Sequence, residues 1–213
     1  MPDAKRHRPV SLRNAVPAVA LLFLAGAGGY AVGRDRPPGA GSAEVGFLHD
    51  MIVHHEQAVA MAFETVDEAA DPEVHSFAKE ILMAQQYELG LMEAYLARWG
   101  HLRDSGRPTA MEWMGEAHPK DAMPGMASAE AVAALAAATG PALDDRFLHL
   151  MIVHHEAGVA MAEAALERVD DGALRRLAER IVQAQESEIV EMGATRRRLG
   201  LPGAPAGGDH TGH

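Results

Sequence analysis

The stretch Met-Ile-Val-His-His-Glu decides the fold of this chain, because it occurs at residues 51–56 and again at residues 151–156. A Phe-Leu-His run precedes each copy, at residues 47–49 and at residues 147–149. The same spacing of 100 residues continues further along each half, where it relates Gln85, Glu88 and Met92 to Gln185, Glu188 and Met192. A long internal repeat indicates one structural unit built twice.

Composition favours a helical protein and excludes one class of partner. Hydrophobic residues make up 48% of the 213 residues but aromatic residues only 5%, which is typical of closely packed helices and not of a β-sandwich. The formal charge of −11 leaves no basic face for phosphates, so we expect no nucleic-acid partner. The chain has no cysteine but has 12 methionines and 12 histidines, which leaves thioethers and imidazoles as soft and borderline metal ligands.

The N-terminal residues predict export. Lysine and arginine dominate the charges of residues 1–14, and residues 15–33 carry no charge. A basic segment followed by about 20 apolar residues is typical of a signal peptide or a membrane anchor. We therefore expect residues 1–33 either to tether the protein to the cytoplasmic membrane or to be cleaved, and Pro and Gly in residues 34–43 predict a flexible linker. The rest of the chain is then extracytoplasmic, in the periplasm or at the cell surface.

Helical periodicity and capping residues predict four long helices. Apolar residues recur every three or four positions over residues 44–69, and Asp71, followed by a proline, starts a second helix that ends at Gly100. The second half repeats this pattern. In that half we expect Asp144 to cap the first helix and Asp171 to start the second.

These helices predict an all-α, ferritin-like four-helix bundle made of two repeated αα-hairpins. The first repeat is residues 44–100, and the second is residues 141–200. A methionine-rich connection over residues 101–140, with an alanine-rich helix near its end, is long enough for the second hairpin to cross over. The tail, residues 201–213, should be disordered.

Both histidines of each copy fall on or beside the buried stripe of their helix. A buried polar group without a partner costs about 1–3 kcal/mol, so these imidazoles must be hydrogen-bonded or ligated. The adjoining helix brings glutamate and methionine, and imidazole with carboxylate and thioether favours copper, with zinc and iron left open. The candidate ligands are His54, His55, Glu88 and Met92, with His154, His155, Glu188 and Met192. Alternatively, Glu88 only orients a histidine through a hydrogen bond, without any metal.

The motif excludes two familiar metal sites. It lacks the second histidine of a His-Glu-X-X-His zinc site, and it lacks the Glu-X-X-His pattern of di-iron bundles. Glu56 and Glu156 directly follow a histidine, and one helical step of about 100° turns them away from it. We therefore expect both glutamates to face water.

These residues resemble a known family. The pattern Phe-Leu-X-X-Met-Ile-X-His-His, the later Met-Ala pair and the Gln-X-X-Glu of the next helix are similar to the ferritin-like family called domain of unknown function 305. The resemblance covers residues 44–200 and includes Met-Pro-Gly-Met at residues 123–126. It implies an exported copper-binding protein connected with copper tolerance, and by position it adds Met51, Met61, Met151 and Met161 to the candidate ligands. His75 departs from the repeat, because Arg175 replaces it in the second half.

Three functions fit these patterns. The first is an exported, membrane-tethered protein that binds copper, as Cu(I) or Cu(II), for buffering, tolerance or transfer. The second is a ferritin-like oxidase with a redox metal, which would need more inward carboxylates than one per hairpin, so a binding protein is favoured over an enzyme. The third is a metal-free structural or interaction bundle. The expected partners are a metal ion and the membrane, and the sequence names no protein partner.

Two further segments each leave two interpretations open. Residues 111–126 combine methionines with His118 and could form a lid that captures Cu(I) or an apolar flap that covers the core. His210 and His213 could form a weak Cu(II) or Zn(II) arm or a solvated tail.

Overall fold

The computed structural model of the protein describes residues 37–104 and 106–201. Apart from Pro37, these residues belong to one structural unit that begins at Pro38. The described ranges are all-α, as the sequence predicts, with five α-helices and one short β-ribbon. The helices are α1 Ala43–Val66, α2 Pro72–Arg98, α3 Ala129–Ala136, α4 Pro141–Arg168 and α5 Gly172–Arg198. The antiparallel ribbon pairs β1, Thr109–Ala110, with β2, His118–Pro119.

Capping residues begin two of the long helices where the sequence predicts. The side chain of Asp71 accepts a hydrogen bond from the N–H of Glu73 at 2.9 Å, and Asp171 accepts bonds from two N–H groups at the start of α5. These carboxylates satisfy N–H groups that have no partner inside the helix. Gly100, just after α2, has a φ of 80°, which glycine adopts without strain. The predicted starts of α2 and α5 are confirmed, and α1 begins one residue earlier than predicted, at Ala43.

Asp144 is not the cap of α4, so this prediction from the sequence is wrong. The N-cap of α4 is Gly140, and Asp144 lies inside the first turn. Its buried carboxylate instead accepts hydrogen bonds from the N–H groups of Ala70 at 3.0 Å and Asp71 at 2.9 Å, in the turn between α1 and α2. Asp144 therefore ties the second hairpin to the turn of the first.

Four helices form two hairpins, α1 with α2 and α4 with α5, which contact each other mainly through α1 and α4. Their buried side chains form two apolar clusters. The first cluster joins the N-terminal half of α1 to the C-terminal half of α4, and the second joins the opposite halves. The two central helices therefore run antiparallel. The ferritin-like topology itself stays a prediction.

Several predicted segments lie outside the described residues. They are the signal peptide or membrane anchor at residues 1–33, the first part of the linker at residues 34–43 and nearly all of the tail at residues 201–213. Among the helices of the described ranges, none is long and apolar enough to span a bilayer. The membrane tether therefore stays a prediction from the sequence.

Replacing Asp144 with alanine should destabilise the protein, because the N–H groups of Ala70 and Asp71 would lose their acceptor. We expect the free energy of unfolding, measured by urea denaturation of the full chain, to fall by about 1–3 kcal/mol. Asp121→Asn, at an exposed carboxylate, is the control and should change it by less than about 0.5 kcal/mol. Equal stability of the two variants would contradict the tie between the hairpins.

Candidate metal centre

Four histidines form a buried polar layer at the contact between the two hairpins. They are His54 and His55 on α1 and His154 and His155 on α4, and all four are fully buried. On α1 they follow Ile52, which packs in the first apolar cluster, and precede Ala58, which packs in the second. This histidine layer therefore lies between the two clusters, and the helical periodicity of the sequence correctly predicts that the imidazoles face inward.

His54 and His154 stack on each other across the contact between α1 and α4. Their ring centroids are 3.6 Å apart, and the ring planes make an angle of 30°. None of their four ring nitrogens makes a hydrogen bond of normal geometry with another described residue. Burial, and then the neighbouring imidazoles, lower the pKa of both rings well below its usual value, and the backbone of the opposite histidine opposes this only weakly. Both rings are therefore neutral at pH 7, the form that can ligate a metal.

His55 and His155 each pair with a glutamate of the adjoining helix. Nε2 of His55 lies 2.8 Å from Oε2 of Glu88, and Nε2 of His155 lies 2.6 Å from Oε2 of Glu188. A carboxylate only accepts, so Nε2–H of each ring donates, and the nitrogen that can offer a lone pair to a metal is Nδ1. Both Nδ1 atoms are buried, with no hydrogen-bond partner in the part of the chain that the structure describes. A carboxylate–histidine pair of this kind orients histidine ligands in many metal sites.

Two buried glutamines extend the polar layer. Gln85 on α2 and Gln185 on α5 are 3% and 2% exposed, and their amides have no hydrogen-bond partner within the described ranges. Gly158 gives Gln185 its space, because a Cβ there would overlap Oε1 of Gln185 and lie 3.1 Å from Cε1 of His54. The amide of Gln185 therefore lies beside the imidazole stack. The repeat in the sequence marks both glutamines, but residue type alone did not single them out as site residues.

The six methionines predicted as ligands are all buried, and they are divided between the two apolar clusters. The first cluster contains Met51, Met92 and Met161. The second cluster contains Met61, Met151 and Met192. Each set combines two methionines from one half of the sequence with one from the other half. The histidine layer lies between these two sets of thioethers.

The residues present fit a soft or borderline metal by their chemistry. Six buried imidazole nitrogens of the layer have no hydrogen-bond partner among the described residues, and imidazole and thioether are ligands that copper accepts. The arrangement of these side chains does not by itself form a complete metal site. Within residues 37–104 and 106–201, no three side chains of His, Cys, Asp or Glu converge closely enough to hold a metal ion. A metal site in this layer therefore needs thioether ligands or an adjustment of side chains.

The methionine-rich segment, residues 111–126, packs over the first cluster. Its methionines lie in that cluster or against it: Met111, Met114, Met123 and Met126. The buried carboxylate of Asp50 on α1 holds the segment, because it accepts hydrogen bonds from the N–H of Met111 at 2.7 Å and from Nε1–H of Trp113 at 2.8 Å. This packing agrees with an apolar flap, and the capture of Cu(I) by the segment stays a prediction.

Other residues singled out by the sequence lie outside the layer. Glu56 and Glu156 are exposed, as the helical step predicts. His75 is also exposed, and its Nδ1–H donates to the carbonyl oxygen of Val66 at 2.6 Å. The predicted metal arm at His210 and His213 falls outside the described residues.

These features define a class of protein, namely an all-α chain of two helical hairpins with a buried histidine layer at their contact. Residues 44–196 match the family model described as Domain of unknown function (DUF305). The chain belongs to this family. A comparison with curated proteins finds no match.

Solved structures are similar to most of the chain. A DUF305 protein from Streptomyces coelicolor, inferred to be secreted, is 36% identical, and the match covers 79% of this chain and 100% of that chain with a TM-score of 0.73. A DUF305 fragment from Deinococcus radiodurans is 34% identical over 74% of this chain and 97% of that chain, with a TM-score of 0.63. CopM in its Cu(II)-bound form is 24% identical over 74% of this chain and 97% of that chain, with a TM-score of 0.60. At this identity, CopM shows a common fold only.

The burial of His54 and His154 predicts that acid destabilises the metal-free protein. Both rings stay neutral in the folded chain, whereas in the unfolded chain they take up protons below about pH 6.5. The free energy of unfolding should therefore fall as the pH drops below about 6.5, by up to about 1.4 kcal/mol per pH unit for each ring. Urea denaturation of the full chain at a series of pH values measures this slope.

The double variant His54→Leu/His154→Leu removes both titrating groups and should lose most of the slope. The exposed imidazole of His75 provides the control, and His75→Gln should keep the slope of the wild type. An equal slope in the double variant and the wild type would show that other groups cause the acid sensitivity.

Proposed function

We propose that this chain is an extracytoplasmic copper-binding protein, tethered to the membrane by its N-terminal segment, that buffers copper or passes it on. The histidine layer is the observation that carries this proposal. It holds six buried ring nitrogens without partners in the described region, between two sets of three buried methionines. Each buried polar atom without a partner costs about 1–3 kcal/mol, so a metal bound in this layer would relieve that cost at the nitrogens that carry a lone pair.

The Nδ1 lone pairs of His55 and His155 are the first ligands in this function. Glu88 and Glu188 bond to the opposite nitrogen of each ring, so they orient the imidazoles and do not themselves bind the metal. In this proposal the two glutamates are not ligands, whereas the ligand set predicted from the sequence includes both of them. The stacked rings of the layer supply further imidazole nitrogens.

The thioethers favour copper over other metals. Thioether sulfur is a soft ligand that selects Cu(I), whereas imidazole alone also suits Cu(II) and Zn(II). The two sets of methionines lie on either side of the histidine layer. In a chain without cysteine, they provide sulfur ligands that cannot be lost to disulfide formation in an oxidising compartment.

Similar proteins support this function and location. CopM, which has a similar fold, has been solved in Cu(II)-bound, Cu(I)-bound and Ag-bound forms. Silver and Cu(I) are both soft ions that prefer soft ligands such as thioethers. The Streptomyces coelicolor relative is inferred to be secreted, which agrees with export of this chain.

The proposed function includes an arrangement of the whole chain. Residues 1–33 anchor the chain, and residues 34–43 link this anchor to the folded part. The two hairpins form a ferritin-like four-helix bundle. Two observations support the bundle. The hairpins pack through α1 and α4, and each hairpin has the same His–Glu bond at positions 100 residues apart. The connection over residues 101–140 then makes the crossover.

A metal-free helical module is the alternative that one observation favours. The described residues bring no three imidazole or carboxylate groups together around one point, and the His–Glu pairs could serve only to hold each hairpin together. The two functions differ in their response to metal, because a ligand at 100 times its Kd that binds only the folded state stabilises it by about 2.7 kcal/mol. Equal thermal stability with and without Cu(I) would favour the metal-free module.

If Glu88 and Glu188 orient the imidazoles, the double variant Glu88→Gln/Glu188→Gln should bind Cu(I) about 10–100-fold more weakly. Glutamine can donate as well as accept, so it no longer confines the ring lone pair to Nδ1. Competition between the full chain and a chromophoric Cu(I) chelator, under reducing conditions, measures the affinity.

The matched control for this experiment is Glu56→Gln/Glu156→Gln, which changes the exposed glutamates beside the same histidines. Its affinity for Cu(I) should equal that of the wild type. Equal affinities for the two double variants would remove the orienting role of Glu88 and Glu188. Absence of Cu(I) binding by the wild-type chain would contradict the proposed function.

Replacing methionine with leucine tests the choice of metal. Met51→Leu/Met151→Leu removes one thioether from each cluster, and this volume-conserving exchange costs less than about 1.5 kcal/mol per site. We expect weaker Cu(I) binding but unchanged Zn(II) binding, because Zn(II) binds imidazole without needing thioether. Met83→Leu, at a methionine that is 65% exposed, is the control. A parallel loss of both metals would point to a packing defect and not to lost ligands.

A further inference from the structure

Two more histidines line one cavity at the end of the first hairpin, outside the histidine layer. His49 lies on α1, and His101 follows the C-terminal end of α2. Both line one open cavity of about 610 Å³, whose wall also includes Asp104 and Arg107. We call it the end cavity.

Backbone carbonyls fix the tautomer of both rings. Nε2 of His49 lies 2.9 Å from the carbonyl oxygen of Leu102, and Nε2 of His101 lies 2.8 Å from the carbonyl oxygen of Pro38. A carbonyl only accepts, so each Nε2–H donates, and Nδ1 keeps the lone pair of the neutral ring. Nδ1 of His49 is buried without a hydrogen-bond partner among the described residues, in a side chain that is 7% exposed. Metal-binding histidines commonly have this arrangement, with the second nitrogen held by a carbonyl.

Backbone hydrogen bonds at the end of α2 position His101. Gly100 has a left-handed φ of 80°, and the N–H of His101 donates to the carbonyl oxygen of Leu96 at 2.8 Å. This is the Schellman arrangement, which sets the direction of the chain after a helix. The two rings are therefore held by backbone contacts before any ligand binds.

The second half of the sequence lacks this pair. Leu201 takes the position equivalent to His101, and its N–H donates to the carbonyl oxygen of Arg196 at 3.0 Å, so the backbone arrangement is the same. Leu201 lines a different cavity, whose wall includes the apolar side chains of Ile152 and Ile189. His149, the equivalent of His49, is only partly buried. The histidine pair therefore belongs to the first half alone and is not a by-product of the duplicated layer.

We propose that His49 and His101 bind one divalent metal ion of borderline softness, Zn(II) or Cu(II), through their Nδ1 atoms in the end cavity. Two imidazoles without a thioether favour such an ion over Cu(I). Water from the open side completes the coordination. This second site is independent of the copper function proposed for the histidine layer.

The charged groups around the end cavity are paired with opposite charges, so they do not repel a cation. Asp104 adds a carboxylate, which accepts hydrogen bonds from the N–H of Gly106 at 2.9 Å and from Lys120 at 3.0 Å. Arg107 adds a positive charge to the wall, but Glu112 lies 3.6 Å from it and offsets that charge. The chain as a whole carries a formal charge of −11, which attracts cations.

Calorimetric titration of the full chain with Zn(II) tests this site by counting the ions bound. His101→Gln should bind one Zn(II) fewer than the wild type. His49→Gln should lose the same ion, because its amide can still donate to the carbonyl of Leu102 but offers no ring nitrogen. His149→Gln, which changes the equivalent histidine of the second half, should bind as many ions as the wild type. The second site is wrong if both first-half variants bind as many ions as the wild type, or if all three variants lose an ion equally.

This result can be separated from a failure of the proposed copper function. Titration with Cu(I) under reducing conditions reports on the histidine layer, whereas the difference in Zn(II) count reports on His49 and His101. If the first-half variants bind one Zn(II) fewer than the wild type but the wild type does not bind Cu(I), the second site is supported and the copper function is contradicted. If the wild type binds Cu(I) tightly but all variants bind the same number of Zn(II) ions, the copper function is supported and the second site is contradicted.

Discussion

The burial of four imidazoles at the contact between two hairpins is the constraint on which the rest of the structure depends. A buried imidazole costs free energy unless a partner satisfies it. His55 and His155 each form a hydrogen bond with a glutamate of the adjoining helix, so one His–Glu bond connects the two helices of each hairpin. His54 and His154 stack on each other, so the hairpins are joined by contact between rings that burial keeps neutral.

The histidine layer also sets the register of the two central helices. It lies between the two apolar clusters, and each cluster holds three of the six methionines predicted as ligands. Sliding α1 along α4 by one turn, about 5.4 Å, would bury imidazoles against methionine side chains and break the stack. The same arrangement gives the site its chemistry, because neutral nitrogen donors lie between two groups of thioethers.

Local signals in the sequence predict the helices well. Features that depend on contacts between residues distant in the sequence could not be predicted. Asp71 and Asp171 cap helices through neighbouring N–H groups, so both are visible in the sequence. Asp144 has the same residue type, but its partners lie 73 and 74 residues away, and no local pattern reveals them. Helical periodicity predicts that the paired histidines face inward. It cannot tell which of them stacks and which bonds to glutamate, because that depends on the rotation of α1 against α4.

X-ray absorption at the copper K edge, on the full chain loaded with Cu(I), tests most directly whether the layer and its methionines act together. We predict that imidazole nitrogen and thioether sulfur are both bound to the copper. We also predict that the nitrogen contribution is reduced in the double variant His55→Gln/His155→Gln, in which only the stacked rings can supply imidazole nitrogen. Copper bound only by oxygen, or a wild-type spectrum unchanged in that variant, would contradict a copper function for the histidine layer.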